Sequence, residues 1–232
     1  MTLAYSVVIP AFNAEATIRE AIGSILEQTV QPEAIFVVDD GSADRTGPVA
    51  SEASPLVAVI RKANGGPGSA TSAGVRRVRT PVFATLDADD LWLPPKMERQ
   101  LAVLEADQGV AAVFALGRLF RAGEGPAPGG EDAVTRLWTR TTMVFRTQAA
   151  QQVGDFLDFP GYLGELVDWL ARSRDLGHRH VMLEEVLALR RVAPGTLSDT
   201  GTSDRARGYL HAAFRALERR RRLASDSSSG AA

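Results

Sequence analysis

Through its first half the chain alternates short apolar runs with segments of helical periodicity, and few folds accommodate that alternation. Tyr5 to Ile9, Ala34 to Val38, Val57 to Ile60 and Val82 to Leu86 read as buried strands, the first stopped by Pro10. Helical patterns lie between and after them. Ile18, Ile22, Ile25 and Leu26 follow Asn13, a candidate cap, and a short helix spans Pro48 to Ala53. A third helix opens on the loop Gly65-Gly66-Pro67-Gly68 and runs to Arg79, and a fourth runs from Pro95 to Ala106. Strand and helix in this rhythm predict a largely parallel sheet covered on both faces. Such sheets bind ligands beyond the carboxyl ends of their strands. Two acidic clusters fall at those ends: Asp39-Asp40 and Asp87-Ala88-Asp89-Asp90.

The second half is less regular. Val110 to Leu116 and Thr141 to Phe145 read as strands, Leu163 to Leu176 as a helix ended by Gly177, and Val181 to Val192 as strand or mixed structure. Arg121 to Glu131, rich in Gly, Pro and Ala, reads as a mobile loop. A helical stripe of Tyr209, Leu210, Phe214 and Leu217 marks the tail, and residues 225–232 read as disordered. No interior linker divides the chain, so one domain is expected over 1–203, with its halves at 1–108 and 109–203, followed by an Arg-rich amphipathic helix over 204–224.

With 232 residues, 45% of them hydrophobic, the chain can bury one sizeable core. A formal net charge of -2 gives no argument for a nucleic-acid partner. The absence of cysteine excludes disulfides, thiolate zinc sites and a cysteine nucleophile. No signal peptide or run of about 20 apolar residues is visible, so a cytoplasmic protein without a membrane span is expected.

Adjacent carboxylates repel and need a cation or hydrogen-bond donors. Asp39-Asp40 can accept from a nucleobase imide or a ribose hydroxyl; it can equally cap the turn Gly41-Ser42. Asp87, Asp89 and Asp90 form the sharper cluster. Magnesium or manganese is commonly held by one or two carboxylates plus substrate phosphates, and would stabilise a nucleoside diphosphate leaving group. The glycine loop can bring backbone amides to a phosphate, or be a tight turn; it lacks the Lys-Ser/Thr ending of a triphosphatase loop. Glu165 and Asp168 stand three apart, so either can serve as general base, or both can lie on an exposed face with Arg172 as ion-pair partner. Trp169 beside Asp168 would supply an apolar wall that raises its pKa. His178, His180 and His211 have no metal spacing, and the first two are expected to flank a surface turn. Arg219 to Arg222 reads as a solvated helix end or as a contact with anionic lipid or an acidic acceptor.

These pieces, in this order, resemble the family 2 glycosyltransferases. The resemblance rests on Val8-Ile9-Pro10-Ala11-Phe12-Asn13, Val37 to Thr46 around Asp39-Asp40-Gly41-Ser42, Asn64 to Gly68, and Leu86 to Asp90 with Trp92. Thr141 to Arg146, Val153 to Phe156 and Gly164 to Gly177 match more loosely. The resemblance implies a GT-A fold: a single Rossmann-like nucleotide-sugar-binding domain with a mostly parallel mixed sheet between helices. It implies an inverting, metal-dependent transfer of a sugar from a nucleotide donor, UDP-sugar being the first expectation, to a saccharide, lipid carrier, small molecule or peptide. Pro10, Phe12, Asn13, Asp39 and Asp40 would border the base; Gly66, Gly68, Asp87, Ala88 and Asp89 would line the rest of the donor; Asp89 and Asp90 would hold Mn2+ or Mg2+. Asp168, or else Glu165, would be the base. Three departures stand against turnover. Thr71 replaces a donor-binding arginine, Leu166 the family's usual base, and Ala193 a histidine. The competing expectation is a catalytically degenerate nucleotide-sugar-binding or scaffold member. A homodimer is left open.

Overall fold

The computed structural model describes residues 2–121, 134–159, 164–192, 208 and 210–221. Among the described residues nine strands, β1 (Tyr5–Ala11), β2 (Ala34–Asp39), β3 (Val57–Arg61), β4 (Val82–Thr85), β5 (Leu91–Trp92), β6 (Val110–Arg121), β7 (Val134–Leu137), β8 (Val144–Arg146) and β9 (Arg179–Val192), form one sheet in the order β3-β2-β1-β4-β8-β6-β9-β5, with β7 paired to β6 off that path. The first part is parallel: β1 lies between β2 and β4, and β3 pairs outside β2. Then β8 joins β4 antiparallel and hands over to β6. β6 runs parallel to β9, and the short β5 pairs antiparallel with β9.

Helices cover both faces. α1 (Ile18–Leu26), α2 (Thr46–Ser51) and α4 (Lys96–Ala106) bury Ile18, Ile22, Ile25, Met97, Leu101 and Leu104 on one side. α3 (Pro67–Val75), α5 (Thr147–Val153) and α6 (Glu165–Asp175) lie on the other, where Trp169 stacks on Phe156 at 4.4 Å and meets Phe145 edge-on. α3 lies hard against β1: a Cβ at Gly74 would come within 2.4 Å of Val8 Cγ1, so only glycine permits that approach. Residues 210–221 form a C-terminal helix.

The expected strand–helix alternation of the first half is present, with adjustments. Pro10 does not stop β1. Asp40 N–H donates to Ala11 O on the β2 side, so Pro10 faces the β4 side, where pairing ends at Val8 and no donor is required. Asn13 is not the cap of α1, which starts at Ile18; it instead adopts φ 49° and joins two loops. α3 ends at Val75 rather than Arg79. β5, β7 and α5 carry no clear periodicity and were not expected. His180 does not flank a surface turn; it lies in β9, half-buried against Phe114 and Phe145, with Nε2 2.8 Å from Ser173 Oγ. Of the expected loop, only Arg121 is described, as the end of β6. Residues 122–131, Ala193, Tyr209, Arg222 and the tail at 225–232 lie outside the described residues.

Candidate active site

The carboxyl ends of β1, β2 and β4 gather the residues singled out by sequence. Phe12, just past β1, is 53% exposed, while Pro10 beside it is buried. Asn13 ties β1 to the loop after β2. Its N–H donates to Ser42 Oγ at 3.0 Å and its Oδ1 accepts from Ala43 N–H at 2.9 Å. Asp39 accepts from Ser42 N–H at 2.9 Å and so caps the turn. Asp40, 3% exposed, accepts from Lys62 Nζ at 2.5 Å and from the N–H groups of Gly65 and Gly66. One carboxylate thus anchors the glycine loop to the end of β2.

The loop's next amides are also taken. Gly68 and Ser69 N–H donate to Asp158 at 2.8 and 2.6 Å, at the positive end of α3. A Cβ on Gly68 would stand 3.0 Å from that carboxylate, tighter than ordinary contact. Asp158 comes from the second half of the chain. Its pKa is raised by burial, which together with nearby Glu165 outweighs the two N–H bonds. The amides of Gly65, Gly66 and Gly68 already serve protein carboxylates, which favours the tight-turn reading of this loop. Thr71 is fully buried and turns its hydroxyl onto Pro67 O, so nothing cationic stands at that position.

At the end of β4 the cation the aspartates require is supplied partly by the protein. Arg140 Nε donates to Asp87 Oδ1 at 2.7 Å, and its Nη1 donates to Glu165 Oε1. Burial opposes the guanidinium charge, but Asp87 and Glu165 outweigh it and push its pKa above the ordinary value. Three bonds hold the turn bearing Arg140: Thr85 Oγ1 donates to Arg140 O, Trp92 Nε1 to Thr141 O and Gln100 Nε2 to Thr142 O. Arg191 completes the frame, donating from its N–H to Asp90 Oδ1 and from Nε to Asp89 O. Asp90 is buried, and its second oxygen accepts from Thr141 Oγ1. Burial first, then Asp87 and Asp89, hold its pKa well above the usual range. With both oxygens engaged, Asp90 braces the loop. Asp87 and Asp89 are only partly buried, and Asp89's pKa is raised by burial and by Asp87. Among the described residues no group of three His, Cys, Asp or Glu side chains converges as a metal cage.

Glu165 and Asp168 start α6 but point to different partners. Glu165 meets Arg140 across the site. Asp168 is wholly buried, one oxygen on Arg172 Nε at 2.9 Å and the other on Arg219 Nη1 at 2.6 Å. The Arg172 pair expected from helical spacing is present. The expected apolar wall is not, because Trp169 turns into the core and two guanidiniums surround Asp168 instead. Sequence spacing missed Arg140, Asp158 and Arg191; only the demand for a cation near Asp87 and Asp89 hinted at two of them.

The sequence profile of glycosyl transferase family 2 matches residues 6–150, more than half of the chain. The chain belongs to that family. An uncharacterized glycosyltransferase of Rickettsia typhi is 39% identical over 99 residues, which are 43% of this chain and 31% of that protein. The succinoglycan biosynthesis protein ExoW of Rhizobium meliloti is 38% identical over 38% of this chain and 30% of its own. The chain therefore spans about a third of the length of such relatives. S. aureus TarS 1–349 in complex with UDP-GlcNAc superposes with TM-score 0.66 at 17% identity, over 86% of this family 2 chain and 61% of TarS. Mannosyltransferase PcManGT from Pyrobaculum calidifontis, in complex with GDP-Man and Mn2+, gives 0.64 at 20% identity, over 85% and 59%. The shared fold is GT-A, as the sequence resemblance implied.

Proposed function

We propose that this chain transfers a sugar from a nucleotide-sugar, UDP-sugar first among candidates, to an acceptor hydroxyl, with inversion. The observation that carries the reading is the convergence of Asp87 and Asp89 at the end of β4 with Glu165 of α6, linked through Arg140. Family membership and the nucleotide-sugars bound by TarS and PcManGT support it.

The base would lie against Pro10 and the exposed ring of Phe12, with Asp40 and Lys62 at its edge and Asn13, Asp39 and Gly66 holding that edge in place. Asp87 would meet the ribose. Ala88 and Asp89 would border the diphosphate, and Gly68 the sugar through Asp158. Asp89 fits a divalent cation: it is an oxygen donor, it is partly open, and burial first and then neighbouring Asp87 raise its pKa, so a cation beside it would be stabilising. Mn2+ or Mg2+ there, completed by donor phosphates, would offset charge on the leaving diphosphate. Glu165 is the better-placed base, since both oxygens of Asp168 are held by arginines. Glu165 would take the proton of the acceptor hydroxyl as its oxygen bonds to the anomeric carbon and the bond to the diphosphate breaks.

Calorimetry of UDP and GDP binding with manganese and with chelator tests the donor site. Metal-dependent binding that Asp89→Ala removes supports the reading, and equal affinity in both conditions refutes the metal role. Leu166, buried where the family's usual base stands, favours a second reading, a binding protein without turnover. Tight binding with no hydrolysis or transfer from UDP-sugars or GDP-sugars would establish it.

A further inference from the structure

The C-terminal helix has one face committed and one face open. Its inner face rides on α6: Ala212 is buried, and Arg219 bonds to Asp168 and faces Asp175. Gly208 lies so close that a Cβ on Gly164 would stand 2.7 Å from Gly208 O. The opposite face presents Leu210 and Phe214, each 67% exposed, and Leu217, 55% exposed. With Arg221 they fall within about 60° of arc on a 3.6-residue helix. Arg221 is exposed at the end of this stripe, Arg220 beside it is exposed while its Nε meets Asp175 at 3.2 Å, Glu218 flanks the stripe, and the sequence continues with Arg222. Large apolar side chains in an exposed row, ended by arginines, are what an interfacial helix presents to lipid.

We infer that this face docks on an anionic lipid surface, Leu210, Phe214 and Leu217 entering the headgroup boundary and Arg221 meeting lipid phosphates. Charge complementarity selects this occupant over a second copy of the chain. A parallel two-fold pairing of the stripe would bring Arg221 of both copies together, and an antiparallel one would set each Arg221 against the apolar Leu210 of the other copy, so neither offers it an acid. Docking would also hold the start of α6, and Glu165 with it, about one helix diameter (~10 Å) from the bilayer. The inference does not depend on the transferase reading.

Co-sedimentation of the full chain with vesicles of phosphatidylcholine, with and without about one third phosphatidylglycerol, tests it. The anionic vesicles should bind at least about tenfold more tightly, and less as salt rises. Phe214→Ser with Leu217→Ser should abolish binding to both vesicle types while the melting temperature stays near that of the parent. Arg221→Gln should weaken only the anionic preference. A monomer that ignores both vesicles overturns the inference. So does a concentration-dependent dimer that the Phe214→Ser and Leu217→Ser changes dissociate, which would assign the stripe to a second copy.

Discussion

Replacing Arg140 by Met is the sharpest test of how the site is held. The guanidinium, itself 13% exposed, bridges Asp87 at 25% and Glu165 at 7% exposure. Removing one partner of a buried ion pair costs about 3–5 kcal/mol, chiefly because the other charge stays buried and unpaired. Glu165 should account for most of this, since water reaches Asp87 more readily. A domain of this size loses about 2–4 °C of melting temperature per kcal/mol, so a drop of roughly 6–20 °C is expected at pH 7. Adding Glu165→Gln to the Arg140→Met background should recover part of the loss, because the amide leaves no buried charge. Calorimetric melting of the parent, both single variants and the double variant at pH 7 gives the coupling. A drop under about 2 °C would refute the reasoning.

Glu165→Gln should lower transfer by about 10²–10⁴-fold with donor affinity little changed, whereas Asp168→Asn should act mainly on stability and on docking of the C-terminal helix, read by single-turnover rates and melting. Asp158→Ala removes a cap from α3 and should cost about 0.5–2 kcal/mol in urea unfolding; no change would mean the carboxylate does not hold the helix. Burial first, then Arg174 and His178, lowers the His180 pKa from 6.5 to about 4. The unfolded chain then binds the proton first. Stability from this site is full above pH 6.5 and is lost as pH falls toward 4, and His180→Gln should flatten the urea midpoint across that window.

The sequence by itself determined the parallel half of the sheet and the place of its ligand site. Burial on both faces writes β1, β2 and β4 as continuous apolar runs, and each acidic cluster follows its strand directly. It also determined the i,i+4 pair of Asp168 and Arg172, since a helix makes such neighbours from spacing alone. Tertiary structure alone decided what those carboxylates do. Asp168 meets Arg219 from 51 residues away, Asp87 meets Arg140 from 53, and the α3 amides meet Asp158 from about 90. No local period encodes such a pair, because its partners come together only when separate elements pack. A carboxylate's role depends on which charge packing brings to it, so base, brace and cap look alike along the chain and differ only in the fold.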